Sequence, residues 1–205
     1  MRKQPQQARS IQMVDNIIEA AFICAAKRGL HQTSTHHIAE VAGVSVGNLY
    51  HYFKDKEAIF QEMHKRQIDE IIDLVRAVMP ELVQKDVKSG IELILNRFVD
   101  YLRADDGRRL AFFNQTDMLD AGEHLPRIEQ ELLSVATQYA LRNPAVLTVR
   151  DFSTVVYVVI NSGVLVILNY LSRPRRGISL EQVVDGVAKM ASAYVAAESA
   201  PAAAP

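Results

Sequence analysis

Between Thr33 and Lys56 the sequence sets hydroxyls at Ser34, Thr35 and Ser45, an amide at Asn48 and imidazoles at His36 and His51. It adds phenols at Tyr50 and Tyr52 and ammonium groups at Lys54 and Lys56. Ser34 and Ser45 each precede a short apolar-periodic segment. A serine there caps a helix, and the free N–H groups of a first turn attract an anion such as phosphate. Phenol and ammonium groups suit the nucleic-acid backbone, whereas an amide reads base edges. Asn48 can pair bidentately with adenine, Val46 can touch a thymine methyl, and His51 and His36 complete the candidates for base reading. Gly47, lacking a Cβ, lets a backbone lie close to a groove. The chemistry is recognition of double-stranded DNA, with no covalent step.

Placing those groups takes two helices and a turn. Ile11, Val14, Ile18, Ala21, Phe22 and Ala25 recur at three- and four-residue spacing, which predicts a first amphipathic helix ending near Gly29. Ser34 then opens a short helix to about Ala42, Gly43 supplies the turn, and Ser45 caps a second short helix through about Tyr52. Asp55 caps a long helix ending before Pro80. Two short helices around Ala42-Gly43-Val44 make a helix-turn-helix, whose second helix can enter the major groove. Ile38, Ala39, Val41, Val44 and Leu49 are expected to lock it against Phe22, leaving Val46, Gly47, Asn48, His51 and Tyr52 outward.

Downstream, apolar periodicity predicts helices over residues 87–102, 108–119, 126–142, 148–171 and 179–195. Gly107, Gly122, Pro126, Pro144 and Pro174 interrupt the pattern. Ser179 and Gln182 have capping-box spacing. The β-branched run from Val155 to Val159 is the segment where helix competes most with strand.

The ordered set Thr33-Ser34, Ile38-Ala39, Ala42-Gly43-Val44-Ser45, Gly47-Asn48-Leu49-Tyr50, Tyr52-Phe53 and Lys56-Glu57 resembles the tetracycline-repressor (TetR) family of transcriptional regulators. The likeness covers about the first quarter of the chain. It implies that Ser45 to Tyr52 is the recognition helix and that Ser34, Thr35, Tyr50, Tyr52, Lys54 and Lys56 hold the DNA backbone. It also implies an all-α fold of about nine helices: a three-helix helix-turn-helix DNA-binding domain over residues 1–55, then a larger ligand-binding and dimerisation domain over 56–196. Two departures stand out. Asn48 replaces a frequent Thr, which alters the base reading, and His37 replaces a frequent acid, which removes the usual capping-box partner.

The resemblance further implies a homodimer on a palindromic operator, paired through the last two helices, and a small-molecule effector bound among the middle helices. Phe98, Tyr101, Phe112, Phe113, Met118 and Asn161 are the expected effector contacts, because aromatics with few polar partners suit an apolar or aromatic ligand. The resulting function is a transcriptional repressor released from its operator by that effector.

Composition sets the outer limits. Lys plus Arg number 23 against 24 Asp plus Glu, so total charge points to no partner. Residues 1–56 carry seven basic side chains against four acids, a modest basic bias. A single cysteine, Cys24, excludes an internal disulfide and any multi-cysteine zinc site, and fits a cytoplasmic protein. His31, His36, His37 and His51 lack a carboxylate or cysteine at ligand spacing, so no metal or cofactor is expected. No glycine loop for phosphate, nucleophile elbow or zinc motif is present, and an enzyme is not expected. Residues 152–171 carry no charge and are long enough to span a bilayer, but Ser153, Thr154, Asn161, Ser162 and Asn169 suit a helical bundle better than lipid. The tail, residues 197–205, is read as disordered.

Overall fold

Glycines and capped polar residues divide the chain where the sequence places them. In the computed structural model, which describes residues 4–115 and 125–199, helix α1 (Gln4–Arg28) ends at Gly29, whose φ of +84° is the left-handed conformation that stops a helix cheaply. Helix α2 (Thr35–Ala42) is closed by Gly43 at φ +67°, and α3 (Val46–Tyr50) begins beyond Ser45. Asp55 Oδ1 accepts from the Ala58 N–H at 2.7 Å and starts α4 (Lys56–Ala77). There follow α5 (Val87–Arg103), α6 (Arg108–Phe113), α7 (Leu125–Arg142), α8 (Phe152–Ser172) and α9 (Leu180–Ser199). Single helical turns at Met79–Leu82 and Pro144–Leu147 and a 3₁₀ turn at Asp105–Gly107 complete the order; no strand occurs among the described residues.

Several expected boundaries shift. Helix α8 starts at Phe152 rather than Thr148, because Pro144 opens a separate turn and Asp151 takes φ +46°. Its β-branched stretch is helical throughout. Helix α9 runs on to Ser199, so residues 197–199 are helical rather than tail, and residues 200–205 lie outside the described residues. Ser179 and Gln182 form the expected reciprocal cap, with the Gln182 N–H donating to Ser179 Oγ at 3.1 Å and the Ser179 N–H to Gln182 Oε1 at 2.8 Å.

The described residues form two compact units, one of residues 4–69 with 103–115 and the other of 70–102 with 125–199. The first unit is wider than the helix-turn-helix segment. Its core joins Ile17, Ile18, Ala21, Cys24, Ile38, Ala39, Leu49, Ile59 and Met63 to Phe112 of α6. Phe112 meets Phe22 edge-on at 5.2 Å and the His64 ring at 4.7 Å. Next to it, Gln115 accepts from the Leu30 N–H at 2.7 Å, a donor left over where α1 ends, and donates to the Ala25 carbonyl at 3.3 Å. Arg108 pairs with Glu19, and Gln67, 3% exposed, donates to the Arg109 carbonyl. Burial of Cys24 raises its thiol pKa and keeps it protonated.

In the second unit, Arg76 of α4 binds Glu131 of α7 through two nitrogens, and Lys88 of α5 reaches Asp185 of α9 at 2.9 Å. Buried Val155, Ile167, Leu168, Val184, Val187 and Ala188 seal α8 against α9.

Phe112 is the side chain by which residues 103–115 enter the buried core of the first unit. Phe112→Ala is expected to destabilise that unit by about 3–5 kcal/mol. Hydrogen exchange should show faster opening of α1 amides, and unchanged α1 protection would contradict this packing.

Candidate DNA-binding face

A five-residue helix has too few backbone hydrogen bonds to persist alone, so α3 stands on three supports. Leu49 is fully buried between α1, α2 and α4 residues of the core. The Asn48 N–H donates to Ser45 Oγ at 3.1 Å, a serine N-cap. The Val44 N–H donates to the Ala39 carbonyl at 3.0 Å, fixing the turn after α2.

Helix α2 is capped at both ends. The His37 N–H donates to Ser34 Oγ and the Ser34 N–H to His37 Nδ1, each at 3.3 Å. A histidine therefore fills the place of the acid whose loss the sequence suggested. The reciprocal cap survives, with a ring nitrogen as acceptor. Thr35 Oγ1 and Tyr50 Oη lie 3.2 Å apart, so a hydroxyl at the start of α2 and a phenol at the end of α3 share one hydrogen bond.

Most of the expected DNA contacts lie on one exposed region of the first unit. His36, Ser45, Gly47, Tyr50, His51 and Lys54 are exposed, and Ser34, Asn48 and Lys56 are half-buried with part of their surface open. Thr35 is buried, at 9% exposed, and reaches the surface only through Tyr50. Val46 and Tyr52 are half-buried and pack against the core, which reduces what they offer outward. Lys54 sits 3.9 Å from Asp55, and Lys56 Nζ lies 5.9 Å from the Phe60 ring centre, a cation over an aromatic face. One expected lock is corrected. Val41 is 46% exposed, because Ile38 and Ala39 already occupy the buried stripe of α2 and Val41 falls on its other side.

Gly47 is informative by what surrounds it. A Cβ built there meets nothing within 4 Å, and the backbone needs no left-handed conformation. The fold therefore has no use for a glycine at this position, which fits a surface that something else approaches closely.

The six expected effector contacts are not brought together. Phe112 and Phe113 belong to the first unit, and Phe112 is core there. Phe98 is buried in the second unit, Tyr101 donates to Glu70 at 3.0 Å, and Asn161 donates to the Tyr157 carbonyl of its own helix. Met118 lies outside the described residues. The second unit instead holds a cavity of about 170 Å³ walled by aliphatic side chains of α5, α7, α8 and α9 and lined by none of the six. Glycines inside helices, Gly90 and Gly163, were the sequence signal for it.

Residues 17–63, which span α1 to α4 and contain the whole exposed face, match the profile of bacterial regulatory proteins of the tetR family. Those residues are similar to the tetR-family helix-turn-helix segment. Curated relatives extend the likeness. The chain is 29% identical over 117 residues to the fatty acid metabolism regulator protein of Bacillus subtilis, covering 57% of this chain and 58% of that one. It is 29% identical over 114 residues to the transcriptional repressor KstR2 of Mycolicibacterium smegmatis, covering 52% and 55%. The chain thus spans little more than half the length of these relatives. The solved fatty acid degradation regulator FadR of Bacillus halodurans superposes with a TM-score of 0.68 at 21% identity, over 87% of this chain and 93% of that one. FadR of Bacillus subtilis in complex with stearoyl-CoA gives 0.66 at 19%, over 87% and 97%. Their fold is the fold of this chain.

Gly47→Ala should leave the melting transition unchanged or raise it, since alanine stabilises a helix interior by about 1 kcal/mol over glycine, while weakening DNA binding. A stability loss together with unchanged DNA affinity would contradict the reading of Gly47 as a point of close approach.

Proposed function

We propose that this protein is a cytoplasmic, sequence-specific transcriptional repressor that binds a palindromic operator as a homodimer and leaves it when a small apolar effector binds. The observation that carries the reading is the outward face of α3. Gly47, Tyr50 and His51 are exposed, Asn48 is partly so, and the rest of α3 is spent on staying folded.

In this reading each group has a place. The N-terminus of α2 with Tyr50, and Lys54 and Lys56 near the start of α4, take phosphates on either side of the groove. Asn48 and His51 read base edges, with His36 at the margin. Neutral hydroxyl and N–H donors fix orientation, and the two lysines supply the salt-dependent part of the affinity. Lys56→Gln is expected to weaken binding to all sequences and to lower the slope of log affinity against log salt by about 1. Asn48→Ala should instead relax preference at one base pair. Gel shifts over a salt series, with operator and scrambled DNA, separate the two; identical behaviour of both variants would contradict these roles.

One such helix covers too little DNA for specificity, so two are needed. Helix α8 supports pairing of two chains. It is the one helix among the described residues apolar and long enough to cross a membrane, yet only 28% of its most apolar window is buried within the chain. Tyr157, Val158, Leu165 and Val166 stand exposed on it, with Met190 on α9. Asn161 and Asn169 each bond a carbonyl one turn back along the helix. A second copy of α8 and α9 would cover this stripe and make a four-helix contact. Leu165→Glu with Val158→Glu should convert a dimer to a folded monomer in sedimentation analysis. Recovery of the wild-type chain only from membranes would overturn the pairing.

The helical unit supports an effector through its cavity. Effector binding shifts the dimer towards a state whose recognition helices no longer fit successive major grooves, about 34–36 Å apart. FadR with stearoyl-CoA shares the fold, which favours an apolar ligand here too.

A further inference from the structure

The chemistry of the cavity wall narrows the class of effector; this step rests on the effector-binding reading just given. Ile91, Leu132, Val135, Val156, Val159 and Val164 typify the wall, and no charged side chain lines it among the described residues. Two glycines draw the surrounding helices tight. A Cβ at Gly90 would stand 2.8 Å from Leu82 Cδ1, and one at Gly163 would stand 3.3 Å from Leu95 Cδ2.

Tyr139 is the one polar side chain lining the wall among the described residues, and its hydroxyl is already engaged. It donates to the Lys85 carbonyl at 2.9 Å and accepts from Asn143 Nδ2 at 2.8 Å. Burial pushes the phenol above its usual range, so it stays neutral. Apart from one remaining lone pair on that hydroxyl, no side chain lining the cavity among the described residues can pair with a polar atom of a ligand, and an unpaired polar atom buried there is heavily penalised. Only Phe152 and Tyr139 are aromatic, too few to cage a quaternary ammonium group. At about 170 Å³ the cavity slightly exceeds the roughly 150 Å³ that accepts benzene, which is room for about six carbon atoms.

We propose that the effector is an amphiphile held by a saturated aliphatic tail, with about six carbons inside the cavity and its polar head outside. The wall discriminates against a tail that carries a hydroxyl, amine or carboxylate at its far end. Tail length and dryness, rather than a polar anchor, set specificity.

A matched pair of probes tests this on the full chain. Octan-1-ol should raise the melting midpoint saturably, and octane-1,8-diol, equal in length but hydroxylated at its far end, should bind at least tenfold more weakly. Ala136→Phe, which fills the wall on α7, should abolish the octanol effect while retaining a cooperative melt and DNA binding. Equal affinity for the two probes, no saturable effect of octanol, or undiminished octanol binding by Ala136→Phe would overturn the proposal. The wild-type comparison decides even if Ala136→Phe does not fold. A gel shift without any probe reports separately on the regulator: failure of octanol with DNA binding intact sinks only the tail assignment, and failure of DNA binding sinks the regulator reading.

Discussion

The first unit depends on holding a helix too short to hold itself. Five residues make barely one turn, and nucleating that turn is unfavourable without tertiary contacts. Leu49 and the Ser45 cap meet the requirement from within the helix, and Gly43 aims it. The core beneath Leu49 needs residues from far along the chain. Phe112 closes it from above 60 residues away, and Gln115 ties down the end of α1. The surface proposed to meet DNA is therefore as rigid as that core, and Gly47, Asn48 and His51 keep surface open because their neighbours carry the packing.

The His37 cap shows how one position serves fold and function together. An acid there would also accept from the Ser34 N–H, but it would put a carboxylate at the helix terminus proposed to face phosphate. The imidazole accepts through Nδ1 while adding no negative charge, so it competes less with a phosphate for the positive end of α2. The backbone donors beyond the cap stay available. The departure from the family pattern at His37 is thus compatible with both the helix start and the proposed contact.

Helix starts and stops were legible because they are local. Ser34, Gly43, Ser45, Asp55 and Ser179 each act within four residues, and each acts as its type suggests. What lies against a helix face is not local. Periodicity placed Val41 in the lock, but with Ile38 and Ala39 on the buried stripe the remaining face of α2 has nothing to meet. Phe112, expected with Phe113 among the effector contacts, packs on α1 instead, and nothing in the sequence near it names that partner. Thr35 has the type of a surface hydroxyl, yet it is buried and its Oγ1 shares a hydrogen bond with Tyr50.

The expected effector residues illustrate the same limit from the opposite side. Aromatic rings are large and fill space, so Phe98 and Phe112 complete cores rather than bound a void. A void forms where branched aliphatic walls fail to meet, and that is decided by backbone separation. Gly90 and Gly163 bring α5 and α8 against Leu82 and Leu95 at the two glycines, leaving the space between them unfilled. The same helix that lines this space, α8, carries an uncovered apolar stripe on its other residues. Tyr157, Val158, Leu165 and Val166 are exposed, whereas Val155, Val159 and Gly163 turn inward. A ligand entering the cavity presses on one side of α8, and a second chain would rest on the other. Because close-packed helices move as bodies rather than deform, one helix with two apolar faces would give the proposed effector a direct mechanical route to the proposed dimer contact.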